Sequence, residues 1–213
     1  QNSNTDASVS ITDKFEINSS GTLTIDAGAT FSTAGNEFDD NGGTLVNDGT
    51  FEIHGDETFT TGILSIPGNV NIMDPSGCTL TEDLSGLENV EFNSSGQTFI
   101  LGEDTDYITG NITIAVNTTF DMDVYDLTLA NGKTLSNDGA WNSPTSGSTF
   151  TCAGNATFSG EDMSFFEFHA FSTLMDTIMF KGGRTYTVSD SLTLVGADGA
   201  ELFITSDESS SRA

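Results

Sequence analysis

The dipeptide Thr-Phe occurs seven times in this chain, at Thr30-Phe31, Thr50-Phe51, Thr58-Phe59, Thr98-Phe99, Thr119-Phe120, Thr149-Phe150 and Thr157-Phe158. Its spacing constrains the fold more than any other feature. Phe31 and Phe51 lie 20 residues apart, Phe99 and Phe120 lie 21 apart, and Phe158 and Phe180 lie 22 apart. Longer phrases echo too: GTLVNDGTF at 43–51 is answered by KTLSNDGAW at 133–141, and NSSG at 18–21 returns at 93–96. Recurrence near 20 residues is the mark of stacked units, none of which buries its apolar face alone.

Between turn-forming Gly, Asn, Asp and Ser lie short apolar or alternating segments. Those expected as strands are 15–17, 22–25, 44–46, 50–53, 63–66, 70–72, 90–92, 98–101, 112–116, 119–124, 127–129, 165–168, 185–188, 192–195 and 201–205. Thr favours strands, and Gly and Asn favour the tight turns between them. The expectation is an all-β chain, a parallel β-helix (β-solenoid) of about ten irregular coils with about three strands each. Stacked at about 4.8 Å per coil, they make a rod on the order of 48 Å long. Phe would stack on Phe inside, with Asn or Thr ladders at the corners. A β-sandwich or jelly roll is the alternative that this strand spacing allows. Residues 1–213 are expected to form a single elongated domain, with 206–213 (SDESSSRA) a flexible tail or fragment boundary. Residues 80–90 suggest a helical turn or two. The most apolar stretch, 163–180 (MSFFEFHAFSTLMDTIMF), suits dense core strands, a hydrophobic plug or a subunit contact.

Charge excludes several classes of partner. Residues 15–132 contain twenty acids and no Lys or Arg, and the whole chain has 32 acids against 5 bases. Nucleic-acid binding needs bases to displace phosphate counterions, and an anionic membrane surface needs a polybasic face. No apolar run approaches the roughly 18 residues of a membrane-spanning helix. Highly charged chains of low hydrophobicity are often disordered, but 16 Phe spread along the sequence argue against that here. Few bases, few cysteines and many Thr and Asn together point to an extracellular or cell-surface location.

Residues 21–36 (GTLTIDAGATFSTAGN) and 42–53 (GGTLVNDGTFEI) resemble the degenerate repeats of right-handed parallel β-helices in bacterial and archaeal surface proteins, such as autotransporter passengers and filamentous-haemagglutinin-like adhesins. Residues 182–205 (GGRTYTVSDSLTLVGADGAELFIT) are similar to repeats in large secreted surface proteins. The resemblance implies a fold and a location, and it carries no catalytic residue to this sequence.

Many parallel β-helices are polysaccharide lyases or hydrolases, and those activities make specific demands on the residues. A pectate-lyase-like site needs a base and bound cations, and a galacturonase-like site needs carboxylates with a basic clamp. Asp39-Asp40 and His54-Gly55-Asp56 offer the carboxylates but no clamp, and the expectation is a non-enzyme. His54 and His169 read as ordinary strand residues. Hard oxygen ligands in clusters suit Ca²⁺, so the candidate metal ligands are Asp121, Asp123 and Asp126, then Glu103, Asp104 and Asp106, with Asp39-Asp40 a third cluster. Asn18, Asn93, Asn111, Asn117 and Asn155 begin Asn-x-Ser/Thr glycosylation sequons. Cys78 and Cys152, 74 residues apart, would stand about 15 Å apart along a regular solenoid, beyond the roughly 7 Å Cα limit for a disulfide. They are expected as buried thiols or as bonds to other subunits.

The function expected first is a structural segment of a surface fibre, sheath or adhesin, a homo-oligomer or polymer joined through strand edges. A glycan-binding module, with Trp141, Tyr107 or Tyr125 stacking on surface sugars, is the second. A polysaccharide-degrading enzyme is the third.

Overall fold

The computed structural model describes residues 7–39, 41–54, 66–80, 84–102, 104–142 and 146–208. Every pairing between its named strands is parallel. The chain is a β-solenoid of about eight complete turns, and its longest face has ten stacked strands. The first two coils run β1 (Ser8–Ser10), β2 (Phe15–Glu16), β3 (Thr22–Ile25), then β4 (Thr30–Ser32), β5 (Phe38–Asp39), β6 (Thr44–Asn47). Then come β7 (Thr50–Ile53), β8 (Asn69–Ile72) and β9 (Cys78–Leu80), followed by a single 3₁₀ turn at Leu84–Gly86 where a helical turn was expected. The central coils are β10 (Asn89–Phe92), β11 (Thr98–Leu101), β12 (Thr105–Ile108), then β13 (Ile112–Ile114), β14 (Thr119–Asp121), β15 (Leu127–Leu129), then β16 (Lys133–Asn137), β17 (Ala140–Asn142), β18 (Thr149–Cys152). The last strands are β19 (Ala156–Gly160), β20 (Met163–Phe171), β21 (Asp176–Phe180), β22 (Tyr186–Val195) and β23 (Leu202–Ser206).

One face is a ten-stranded sheet, in the order β1-β4-β7-β8-β10-β13-β16-β19-β21-β23. Its rungs repeat every 19 residues at the shortest (Thr50 beside Asn69) and every 26 at the longest (Ile178 beside Ile204). In the central coils a turn separates the other two faces. Those faces merge at β20, which pairs with β17 through Met163 and with β18 through residues 167–170. The cause is local: residues 163–171 contain no Gly, Asn, Asp or Pro, so nothing breaks the strand. The two strands expected over 185–188 and 192–195 are likewise one, β22, kinked by a register shift between its pairings at Val188 and Ser191. The expectation for 163–180 resolves as core strands, with Phe165, Phe168 and Ile178 buried.

Stacking brings equivalent residues together. On the ten-stranded face Phe31, Phe51, Val70, Val90, Ile112, Leu135 and Phe158 form one inward column, all at most 4% exposed. On the second face Phe99, Phe120 and Trp141 stack, with ring centroids 5.2 Å apart for the last two. Phe15 lies flat on Phe38 (5.9 Å) and Phe150 on Phe168 (6.0 Å). Each fully buried Phe removes enough apolar area from water to stabilise the fold by roughly 2–3 kcal/mol.

The echoed phrase is a structural unit. Asn47 and Asn137 both turn inward at a corner, where the amide of Asn47 donates to Pro67 O and Asn69 O and that of Asn137 to Asp162 O, in the next coil. The glycine two residues on, Gly49 or Gly139, lies against carbonyls of the coil before. A methyl group on Gly49 would meet Ala29 O at 2.3 Å, and one on Gly139 would meet Thr118 O at 2.2 Å.

Candidate functional site

The acidic clusters act as corner caps. The strand expected over 119–124 stops at Asp121, because the Oδ1 of Asp121 accepts the N–H of Asp123 (2.9 Å) and Asp123 takes a φ of 47°. The other carboxylate oxygen of Asp121 accepts the Asn142 amide on the next rung (3.1 Å). Asp123 is therefore a turn residue and does not share a strand face with Asp121. Asp104 accepts the N–H of Asp126 (2.9 Å), and Asp126 in turn accepts the N–H of Thr149 (2.7 Å), so these two carboxylates are stacked one coil apart. Such bonds satisfy backbone donors at corners where the ladder is interrupted. Among the described residues no three His, Cys, Asp or Glu side chains converge on a point that would hold a metal ion. Glu103 and Asp40 lie outside the described residues, and Asp106 is placed as backbone within β12.

The other candidates are scattered along the rod. Asn155 donates its amide to Asn131 Oδ1 (3.1 Å) and Asp176 Oδ1 (2.7 Å), and Asn111 donates to Asn89 Oδ1 (3.3 Å), so both are rungs of the expected corner ladders. Asn93 is half-buried beside Glu91, whereas Asn18 is exposed at an isolated bridge to Gly42 and Asn117 is exposed on a turn. His54 sits 2.9 Å from Ser32 Oγ, and His169 sits 3.3 Å from Glu167. Gly55, Asp56, Thr58 and Phe59, like residues 63–65, lie outside the described residues. Trp141 is no sugar platform, because it is 5% exposed and wedged between Phe120, Phe150 and Phe165. Tyr125 packs against the core, while Tyr107 is exposed. Cys78 is in register with Phe99, Phe120 and Trp141, three rungs from the coil that holds Cys152 and on another face, so the two do not bond. Cys152 is a fully buried thiol, raised well above the usual thiol range by that burial, and is closed to other subunits.

The scarce bases staple neighbouring coils. Lys14 reaches Glu37 (2.8 Å) and Asp39 (3.1 Å), Lys181 reaches Asp207 (2.9 Å), and Arg184 grips Glu161 with both terminal nitrogens. Glu37 and Asp39 hold the Lys14 ammonium above its ordinary range. The Gly182 N–H and then Lys181 hold Asp207 below its own. Several acids within the strands are spaced by neutral polar residues. Glu52 and Glu91, for example, both face Asn71, which keeps like charges two rungs apart.

The feature that sequence reasoning missed is the last rung. Leu192 and Leu194 continue the buried columns of Phe168 and Ala170, and Ile204 continues that of Ile178. Among the described residues no further coil stacks on them, and Leu192 is 58%, Leu194 44% and Ile204 48% exposed, with Val195 and Phe203 also exposed. Leu194 and Ile204 border a depression of about 470 Å³ whose other walls include Asp198, Glu201 and Leu202. The corner before this rung adds Phe171, Leu174 and Met175, all exposed. The chain matches no family model, no curated protein and no solved structure in the comparisons made. Its fold is a parallel β-solenoid, and its distinctive surface is the exposed apolar rung formed by β22 and β23.

Proposed function

We propose that this chain is a structural segment of an extracellular fibre, sheath or adhesin that associates with itself end-on. The observation that carries the reading is the apolar last rung, with its unpaired strand edges. Such edges recruit further strands, and contiguous exposed apolar surface marks an interaction site. Charge supports the same direction. Residues 15–132 carry twenty acids and no base, whereas 1–14 carry two acids and one base, and 181–213 carry five acids and three bases. Side-by-side contact would oppose two acidic waists, while contact through an end opposes the least charged parts of the molecule.

Sedimentation velocity over a concentration series at about 0.5 M NaCl, with negative-stain microscopy, tests this. Ten rungs span about 43 Å between the first and last. Particles at least twice that length, growing with concentration, are expected. A monomer at every concentration and salt would end the reading.

A further inference from the structure

We infer that the coil of β16, β17 and β18 encloses a water molecule, held between the indole N–H of Trp141 and the amide oxygen of Asn137, with the Ser148 hydroxyl as a third partner. The groups are placed by the strands around this coil. Asn137 ends β16 and turns inward at the corner before β17, Trp141 faces inward from β17, and Ser148 precedes β18. Among the described residues, Trp141 Nε1, Asn137 Oδ1 and Ser148 Oγ are buried atoms without a hydrogen-bond partner in the chain. Their residues are 5%, 0% and 1% exposed. A polar atom that leaves water without gaining a partner is costly, so buried polar groups are satisfied by ordered water where the protein does not serve. Three such atoms in one coil point to one shared ligand.

The chemistry of the three identifies that ligand. Trp141 Nε1 only donates, Asn137 Oδ1 only accepts, and the Ser148 hydroxyl serves either way. The Asn137 amide is fixed in this sense, because its nitrogen donates to Asp162 O (3.0 Å). The rings around the indole, Phe120, Phe150 and Phe165, have no oxygen to receive its N–H. The ligand must therefore accept one hydrogen bond, donate at least one, and be small and uncharged. A cation has no use for the indole N–H, and an anion is repelled by the Asn137 oxygen. Water meets each condition, and an internal water makes about three hydrogen bonds. Room comes from columns that taper here. Asn137 stands in register between Ile114 and Gly160, and Cys152 between Leu129 and Ala170. Gly160 brings no side chain to the rung after Asn137, and a water's share of the liquid is only about 30 Å³. Asn47, the counterpart of Asn137 in the echoed phrase, has an unpartnered Oδ1 as well, but no unpartnered donor accompanies it among the described residues of its coil.

Trp141 is the single tryptophan of the chain, so an isotope-labelled sample of the full chain shows one indole N–H resonance. Water-selective NOE and ROE spectra read its contact with water. The expected result is a cross-peak at the indole proton with opposite sign in the two spectra, which marks a long-lived water rather than proton exchange. Ser148→Ala removes the hydroxyl whose own exchange would relay such a signal, and the cross-peak should persist on the water held by Asn137. A peak lost with that hydroxyl would place Ser148 itself against the indole and overturn the inference. An indole proton shifted upfield, with no water cross-peak, would overturn it as well. That is the mark of an N–H lying over the Phe150 ring, which stands nearly perpendicular to the indole with centroids 5.5 Å apart. A crystal structure of the same chain should show the water about 2.7–3.2 Å from both Trp141 Nε1 and Asn137 Oδ1. Ordered density at neither atom would contradict the enclosed water.

Discussion

Gly139→Ala probes the closest approach between consecutive coils. A Cβ there would lie 2.2 Å from Thr118 O, 2.4 Å from Ala115 O and 3.2 Å from Ile114 Cγ2, all in the preceding coil. Two of these neighbours are backbone, so no side-chain rotation relieves the clash. Thr118 O also accepts the N–H of Ala140 (2.8 Å), and Ile114 O accepts that of Asp138 (2.9 Å). Making room means separating the coils by about 1 Å and weakening both bonds, each worth roughly 1 kcal/mol, besides overpacking of about 1–3 kcal/mol. The expected loss is about 3 kcal/mol, or a fall in melting midpoint of about 6–12 °C for a domain of this size. Circular dichroism at the β-sheet minimum or calorimetry reads it. Gly132→Ala is the control, because a methyl there meets nothing within 4 Å and strain comes only from its φ of 76°. It should cost about 1 kcal/mol. If Gly139→Ala melts within a degree of the parent, or Gly132→Ala proves the costlier of the two, coil-on-coil stacking at this turn is refuted.

Three further outcomes follow from the same geometry. In a Cys78→Ser background, Cys152 should resist alkylation at pH 8 until the protein unfolds. Labelling of the native protein at the rate of a free thiol would contradict its burial. Asp207→Asn should lower the melting point at pH 7, because a carboxylate held below its ordinary range stabilises the fold at pH above its unfolded value. The contribution is lost as pH falls through the depressed folded value, so mutant and parent should converge in acid, and a difference that is constant with pH would refute the Lys181–Gly182 clip. Self-association should strengthen with ionic strength or divalent cations, since a formal charge of −27 on each copy is screened over only about 10 Å at 0.1 M salt. Association undiminished by chelator at low salt would show that edge pairing and apolar contact suffice alone.

The stacked architecture was legible because in-register parallel pairing turns distance along the chain into position around a coil. Phe31 and Phe51, 20 residues apart, are direct neighbours, and so are Phe99 and Phe120. The Asn-Asp-Gly echo was legible for a sharper reason: only a residue without Cβ fits against the carbonyls of the coil before. The merging of two faces at β20 was written as an absence of turn residues, which a search for turn signals passes over. The acidic clusters are ambiguous in sequence because a carboxylate that caps a turn and one that binds a cation present the same oxygens in the same spacing. Asp121 and Asp126 are committed to N–H groups of their own chain. Trp141 was misread because one aromatic in a polar phrase looks like a ligand platform, whereas its register with Phe120 makes it a core residue. The exposed apolar rung was hardest to see, since Leu192 and Leu194 have the pattern of buried residues.

Pairwise spin-label distances along one outward column test the stack itself. Thr50, Asn69, Asn89, Asn111, Thr134, Thr157, Met179 and Thr205 stand on successive rungs of the ten-stranded face. With one label at Thr50 and the second at Thr134, Thr157, Met179 or Thr205, the backbone separations should be about 19, 24, 29 and 34 Å, one step of about 4.8 Å per coil. Distances that rise in that order and by that step are the predicted result. Distances that fail to rise with coil number, as strands alternating between two sheets of a sandwich would give, would contradict the solenoid and every inference built on its last rung.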